Sequence, residues 1–262
     1  MGASPLPNES EAALRARRNL AYFEWQVGSV QEFWQKIARE INFKDTSVVD
    51  LGCGHGTLCV DLAKRGALNV VGLELDDERI AFANNFVPKK YPELTDKISF
   101  FCQDICTYLS DDLDESFDFI VSKDTFEHIM DLEGVVGHAW RLLKPGGQLV
   151  IGTSPLYFSP FGDHGRYFGR RLPWVAAIPE PLLFSLASWR KVTKIESAGD
   201  VGLNKMTPAS FRKLFQSQNW RISSINYNAS DNILMSLLDL ARKLTLLERY
   251  FTVSIYAVIT KS

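Results

Sequence analysis

Cysteine is scarce in this chain of 262 residues, and so is any surplus of charge. The four cysteines, Cys53, Cys59, Cys102 and Cys106, show no Cys-x-x-Cys spacing. They read as buried, reduced thiols of a cytoplasmic protein, three of them beside or within core elements. A formal net charge of -2 leaves no electrostatic footprint for nucleic acid, so a small molecule or a protein is the expected partner. The N-terminus lacks both a basic and an apolar region, and no secretion signal is read there. Long apolar runs are missing too. The most apolar late stretch, Leu172 to Trp189, is broken by Pro173, Pro179 and Pro181, which argues against a stable membrane insertion. No repeat or low-complexity segment appears. What is present, 46 % hydrophobic and 23 % charged residues, suits one large α/β domain or a domain with an elaborated cap.

Residues Met1 to Ser10 read as a flexible tail. Leu20, Phe23, Val27, Val30, Phe33, Trp34, Ile37 and Ile41 then recur at helical spacing, and Gly28-Ser29 is expected to divide them into two helices. Short apolar strands alternate with helical patterns after that. Strands are expected at Ser47–Leu51, Asn69–Leu75, Lys97–Cys102, Phe117–Ser122 and Gln148–Gly152. Helices are expected at Thr57–Arg65, after an N-cap at Asp76 or Asp77, and at Gly134–Leu143, where Lys144-Pro145-Gly146-Gly147 stops the last. Such alternation implies a parallel sheet with helices on both faces.

Beyond Thr153 the character changes. Ser154 to about Asn204 is rich in proline, glycine and aromatic residues and reads as an inserted cap. Trp174, Phe184 and Trp189 are expected in its own core, and Tyr157, Phe158, Tyr167 and Phe168 around a substrate. A helix from Thr207-Pro208 with Phe211, Leu214 and Phe215 on one face follows. Strands at Arg221–Tyr227 and Thr252–Ile259 flank a helical stretch, Asn232–Tyr250.

A glycine-rich turn, Asp50-Leu51-Gly52-Cys53-Gly54-His55-Gly56, follows the first strand, and lets backbone approach a ligand at the sheet's carboxyl edge. Dinucleotide enzymes and methyltransferases both use such a turn. The dinucleotide fingerprint needs Gly or Ala three residues after Gly54, where this chain has Thr57. Asp50 would repel a pyrophosphate, but it suits the ammonium of an amino-acid-containing cofactor. Glu74 ends the second strand, where a carboxylate can accept from ribose hydroxyls.

Together with Gln103-Asp104-Ile105, Phe117-Asp118-Phe119-Ile120-Val121-Ser122 and Arg141-Leu142-Leu143-Lys144-Pro145-Gly146-Gly147, in that order, this turn resembles the class I S-adenosylmethionine-dependent methyltransferases of small-molecule type. The resemblance covers about Val48 to Thr153. It implies a doubly wound, seven-stranded Rossmann-like sheet whose last strand is antiparallel, with N-terminal helices and a cap insertion after the fifth strand. The divisions it suggests are 1–44 as a helical lid, 45–153 as the cofactor-binding core, 154–204 as the substrate cap, and 205–262 completing the sheet. It implies S-adenosylmethionine as cofactor, held by Asp50, Gly52, Cys53, Gly54, Glu74, Leu75, Asp104, Ile105 and Lys123. Asp104 would accept from the adenine amine, with Ile105 and Leu75 on the ring.

Asp124-Thr125-Phe126-Glu127-His128 is similar to the Glu-x-x-Glu-His stretch of the ubiquinone-pathway O-methyltransferases, where carboxylates and a histidine are linked to a divalent metal. Here the first acid is Asp, one methylene shorter, and no metal is expected. His128 reads either as part of the active-site wall or as structural. In Phe161-Gly162-Asp163-His164-Gly165-Arg166, His164 is either a base that its flanking glycines bring to the substrate or an exposed loop residue. His55 is expected to make local contacts only, and His138 to be satisfied or solvated mid-helix.

The function this implies is methyl transfer to an oxygen or nitrogen of a small, apolar or aromatic metabolite. His164 is the first candidate base and His128 the second. The alternatives are a nucleotide-dependent oxidoreductase or a catalytically silent, methyltransferase-like binding protein.

Overall fold

The computed structural model describes residues 10–37, 39–105, 113–169, 172–191, 194–216, 219–230 and 232–262. Cys106 and the expected tail up to Glu9 lie outside them. The chain runs α1 (Glu11–Lys36), β1 (Ser47–Leu51), α2 (Thr57–Lys64), β2 (Asn69–Glu74), α3 (Asp77–Lys90), β3 (Ile98–Cys102), β4 (Phe117–Lys123), α4 (Leu132–Leu142) and β5 (Leu143–Thr153). It continues with α5 (Glu180–Lys191), α6 (Pro208–Leu214), β6 (Trp220–Tyr227), α7 (Ile233–Arg242), α8 (Glu248–Phe251) and β7 (Ile255–Lys261). The seven strands are ordered β3-β2-β1-β4-β5-β7-β6. β1 pairs with β2, and β2 with β3, in parallel, whereas β7 runs antiparallel to both β5 and β6. This is the doubly wound α/β sheet expected, with its last strand reversed. Strand order changes direction beside β1, and in open sheets of this kind ligands bind outside the carboxyl ends at that point.

Contacts divide the chain into two compact units. The first comprises Met1–Gln35, Glu40–Val121 and Arg141–Gly147, and the second Lys36–Arg39, Ser122–Trp140 and Gln148–Ser262.

In the first unit, β1 and β2 are nearly continuous apolar runs because both faces of a parallel sheet are covered. α3 opens on Asp76, whose side chain accepts from the Arg79 amide. α1 is one helix of 26 residues and passes through Gly28 without a break, contrary to the expected division. A helical glycine costs only about 1 kcal/mol relative to alanine. Burial of Phe23, Val30 and Phe33 on both sides of it outweighs that. Cys53 and Cys59 are buried as expected, but Cys102, at the carboxyl end of edge strand β3, is exposed.

In the second unit, the segment after β5 has its own core. Tyr157, Tyr167, Val175, Leu183, Phe184 and Ala187 pack together there. α5 turns Leu183, Phe184 and Ala187 inward and leaves Leu182, Leu186 and Trp189 outside. Trp189, expected in this core, is 86 % exposed because it falls on the outward face of that helix. Trp174 leaves the core as well, packing on Phe251 at 5.5 Å and donating its indole N–H to the Tyr250 carbonyl. β7 begins at Ile255 rather than Thr252, since the Thr252 hydroxyl and amide both return to the Glu248 carbonyl and close α8. No helix among the described residues is long and apolar enough to cross a membrane.

Candidate active site

The first unit carries the glycine turn. Gly52, Gly54 and Gly56 all have positive φ, a left-handed backbone that favours glycine. A side chain at Gly54 would meet nothing within 4 Å, which leaves the loop open to a ligand on that flank. Cys53 lies inward, near Cys59 and the floor at Gly72. Asp50 is buried beneath the turn, and its Oδ2 accepts the Cys59 thiol at 3.2 Å.

Glu74 stands at the end of β2 and is tied into the turn. Its Oε2 accepts from the Gly54 amide at 3.1 Å, and its Oε1 accepts from the Leu75 and Asp76 amides at 2.8 and 3.1 Å. Arg79 approaches Oε2 at 3.4 Å. The carboxylate is therefore oriented by main-chain donors before any ligand arrives. The Gln103 amide donates to the Glu74 carbonyl, which sets the β3 end beside the β2 end. Leu75 and Asp104 are exposed there. Ile105, expected against an adenine ring, is buried in the core instead.

His55 is held more tightly than its place in a loop suggests. Its ring lies 4.9 Å from the Tyr22 ring of α1 and 5.1 Å from the Phe82 ring of α3. Both ring nitrogens are buried without a hydrogen-bond partner among the described residues. Burial, and then the Arg79 charge, push its pKa below the ordinary histidine value.

The second unit assembles the histidines. Phe126–His128 is a single 3-10 turn after β4. Asn204 clamps it, donating from Nδ2 to the Phe126 and Ile129 carbonyls at 2.6 and 2.7 Å and from its amide to the Glu127 carbonyl. His128 Nδ1 lies 2.7 Å from the Gly202 carbonyl, and His164 Nε2 lies 3.2 Å from that of Pro155. A carbonyl only accepts, so each facing nitrogen carries the hydrogen, which in the neutral ring leaves the lone pair on His128 Nε2 and His164 Nδ1. Glu127 is buried, and its Oε2 accepts the Thr153 hydroxyl at 2.7 Å. Burial first, then the charge of Asp124, push its pKa up to about 8.

Glu127, His128 and His164 offer donor atoms that lie within 4.8 Å of one another. The sequence pointed instead to Asp124, Glu127 and His128. Asp124 is paired with Lys123 at 2.7 Å, and the cluster draws its third member from His164. Asn204, Thr153 and Gly202 escaped the sequence reading because their roles are long-range contacts with no spacing signal.

Tyr157 and Tyr167, expected around a substrate, are buried in the core of their own segment, their hydroxyls 2.8 Å apart. Ring area removed from water outweighs what an exposed pocket position would offer, and the paired hydroxyls satisfy each other. Phe158 and Phe168 are only partly buried against that core. Gly162, read as a flank that lets the turn approach a substrate, is pressed against the Leu156 and Tyr157 carbonyls, leaving no room for a side chain. His138 sits half-buried mid-α4 with Nδ1 unpartnered among the described residues.

Comparison with known proteins finds methyltransferases. Residues 49–151, from β1 through most of β5, match the family described as a methyltransferase domain. The ubiquinone biosynthesis O-methyltransferase of Coxiella burnetii is 33% identical over 125 residues, 48% of this chain and 50% of that one. Its counterpart in Pseudomonas fluorescens SBW25 is 30% identical over 122 residues, 45% and 48% of the two chains. The chain thus spans about half the length of the curated relatives it matches. An S-adenosylmethionine-dependent methyltransferase of Mesorhizobium loti superposes with a TM-score of 0.57 at 18% identity, covering 91% of this chain and 97% of that one. The geranyl diphosphate C-methyltransferase of Streptomyces coelicolor gives 0.59 at 14%, covering 98% and 86%.

Proposed function

We propose that this chain is a class I S-adenosylmethionine-dependent methyltransferase and that it methylates an oxygen or nitrogen of a small, apolar or aromatic molecule. The observation that carries the reading is Glu74, whose carboxylate is aimed by three main-chain amides at the end of β2, beside a glycine turn open at Gly54. The residues present fit the cofactor. Open space at Gly54 admits a ligand against the loop, and Glu74 and Asp104 supply acceptors for ribose hydroxyls and an adenine amine. Asp50 supplies negative charge under the turn for an ammonium group. Leu75 offers an apolar flank, with Cys53 and Gly52 shaping the turn and Lys123 as a further contact.

When bound, the cofactor supplies an electrophilic sulfonium methyl group. The protein's part is alignment, exclusion of water and custody of a proton. An acceptor that starts as a phenol or alcohol must lose one. His164 Nδ1, with its ring oriented by the Pro155 carbonyl, is the first candidate to take it, and His128 Nε2 the second. A carboxylate acceptor needs neither. Phe158 and Phe168, partly buried beside the core of their segment, are the aromatic side chains left to meet a substrate. The matched relatives are named as O-methyltransferases, which favours an oxygen acceptor.

The test is binding followed by turnover. The purified chain should bind S-adenosylhomocysteine and not NAD by calorimetry, then release S-adenosylhomocysteine with a member of a phenol, alcohol and amine panel. NAD binding alone would turn the reading to an oxidoreductase. Cofactor binding without turnover on any acceptor would favour a silent binding protein.

A further inference from the structure

His55 poses an energetic problem. It is 7 % exposed, and its two ring nitrogens are buried with no hydrogen-bond partner among the described residues. An unsatisfied buried polar group costs about 1–3 kcal/mol. A phenylalanine in the same place beside Tyr22 and Phe82 would carry no such cost, so the imidazole calls for a partner that none of the described residues supplies. The neighbours confine what that partner is. The ring lies tilted against Tyr22 and edge-to-face against Phe82, and the charged groups near it are Arg79, Asp76 and Glu74. Arg79 is the cation of this set and is shared with both acids. His55 also lies in the turn itself, one residue beyond the open flank at Gly54.

We propose that His55 is a cofactor-binding residue whose ring N–H donates to the carboxylate at the amino-acid end of the S-adenosyl cofactor, with Tyr22 of α1 as the wall behind the ring. A carboxylate is the chemistry that matches. It only accepts, a neutral imidazole always has one N–H to give, and a hydrogen bond to a charged acceptor in a dry site is strong. The pairing assigns the amino-acid end of the ligand to α1 and the loop, and the ribose to Glu74. It rests on the cofactor reading above.

The experiment compares two ligands that differ only at that end. S-adenosylhomocysteine carries the amino acid, and 5′-methylthioadenosine does not. By calorimetry, His55→Phe should weaken S-adenosylhomocysteine by about 10- to 100-fold and leave 5′-methylthioadenosine unchanged. Its melting temperature without ligand should equal or exceed that of the parent chain, because two unsatisfied nitrogens are gone. His55→Leu makes the same comparison without requiring the ring's full volume. Equal losses for both ligands would make His55 a merely structural residue, and unchanged S-adenosylhomocysteine affinity would remove its role. If the parent chain binds neither ligand, the cofactor reading itself falls, an outcome distinct from the other two.

Discussion

The rings of His128 and His164 lie 5.2 Å apart, centre to centre and edge to face, each held by a main-chain carbonyl from a different segment. Thirty-six residues apart in sequence, the pair is made by the 3-10 turn after β4 meeting the turn that carries His164. Both residues lie in the second compact unit, and Glu127 completes the cluster from the same turn as His128.

If His164 takes the acceptor's proton, His164→Ala lowers turnover by about two to four orders of magnitude and leaves S-adenosylhomocysteine affinity intact. The pH–rate profile loses the limb due to an imidazole. Turnover close to that of the parent chain would pass the role to His128, or to no base at all with an acceptor already ionised.

Glu74→Ala should cost roughly 2–4 kcal/mol of S-adenosylhomocysteine affinity, the worth of two charge-assisted hydrogen bonds to ribose in a partly buried site. Because Glu74 also receives the Gly54, Leu75 and Asp76 amides, its removal loosens the turn as well. Calorimetry on a folded variant decides the matter, and unchanged binding would withdraw Glu74 from the site. Asp50→Ala should act in the same direction.

Turnover should survive exhaustive chelation. Asp124, the first acid of the Asp-x-x-Glu-His stretch, is paired with Lys123. Glu127, His128 and His164 nevertheless converge closely enough to make this a demanding test. Loss of activity with EDTA, restored by magnesium or zinc, would overturn the metal-free reading and assign those three side chains as ligands.

Glu127 gives a stability signature. Burial holds its carboxyl neutral up to about pH 8 in the fold, against an ordinary glutamate value of 4.5. Between those values the folded state binds more protons, so stability is full below the unfolded pKa and is lost as pH rises through 8. Glu127→Gln, which still accepts the Thr153 hydroxyl, should flatten that fall and gain roughly 1–3 kcal/mol at alkaline pH. Urea unfolding of both chains at pH 5 and pH 9 measures it, and an identical fall in the two would place the loss elsewhere.

Periodicity and punctuation made the sheet legible. The apolar runs of β1 and β2, the glycines after Leu51 and the acid closing β2 are local signals, and local sequence suffices where backbone geometry and continuous burial dictate residue type. Gly28 shows the limit of such punctuation, since its cost of about 1 kcal/mol was visible and the packing of Phe23, Val30 and Phe33 that overrides it was not. The aromatic residues after β5 show another. The sequence put Trp189 in that segment's core and Tyr157 and Tyr167 around a substrate, and packing reversed both, with the tyrosines core and the tryptophan surface. The candidate site divides in the same way. Asp50, Gly54 and Glu74 announce themselves because backbone approach and charge demand them at fixed places along the chain. The meeting of His128 with His164, the clamp by Asn204 and the burial that keeps Glu127 protonated belong to the tertiary structure alone. Those contacts join residues tens of positions apart, and their energies come from burial and carbonyl geometry that no stretch of sequence contains.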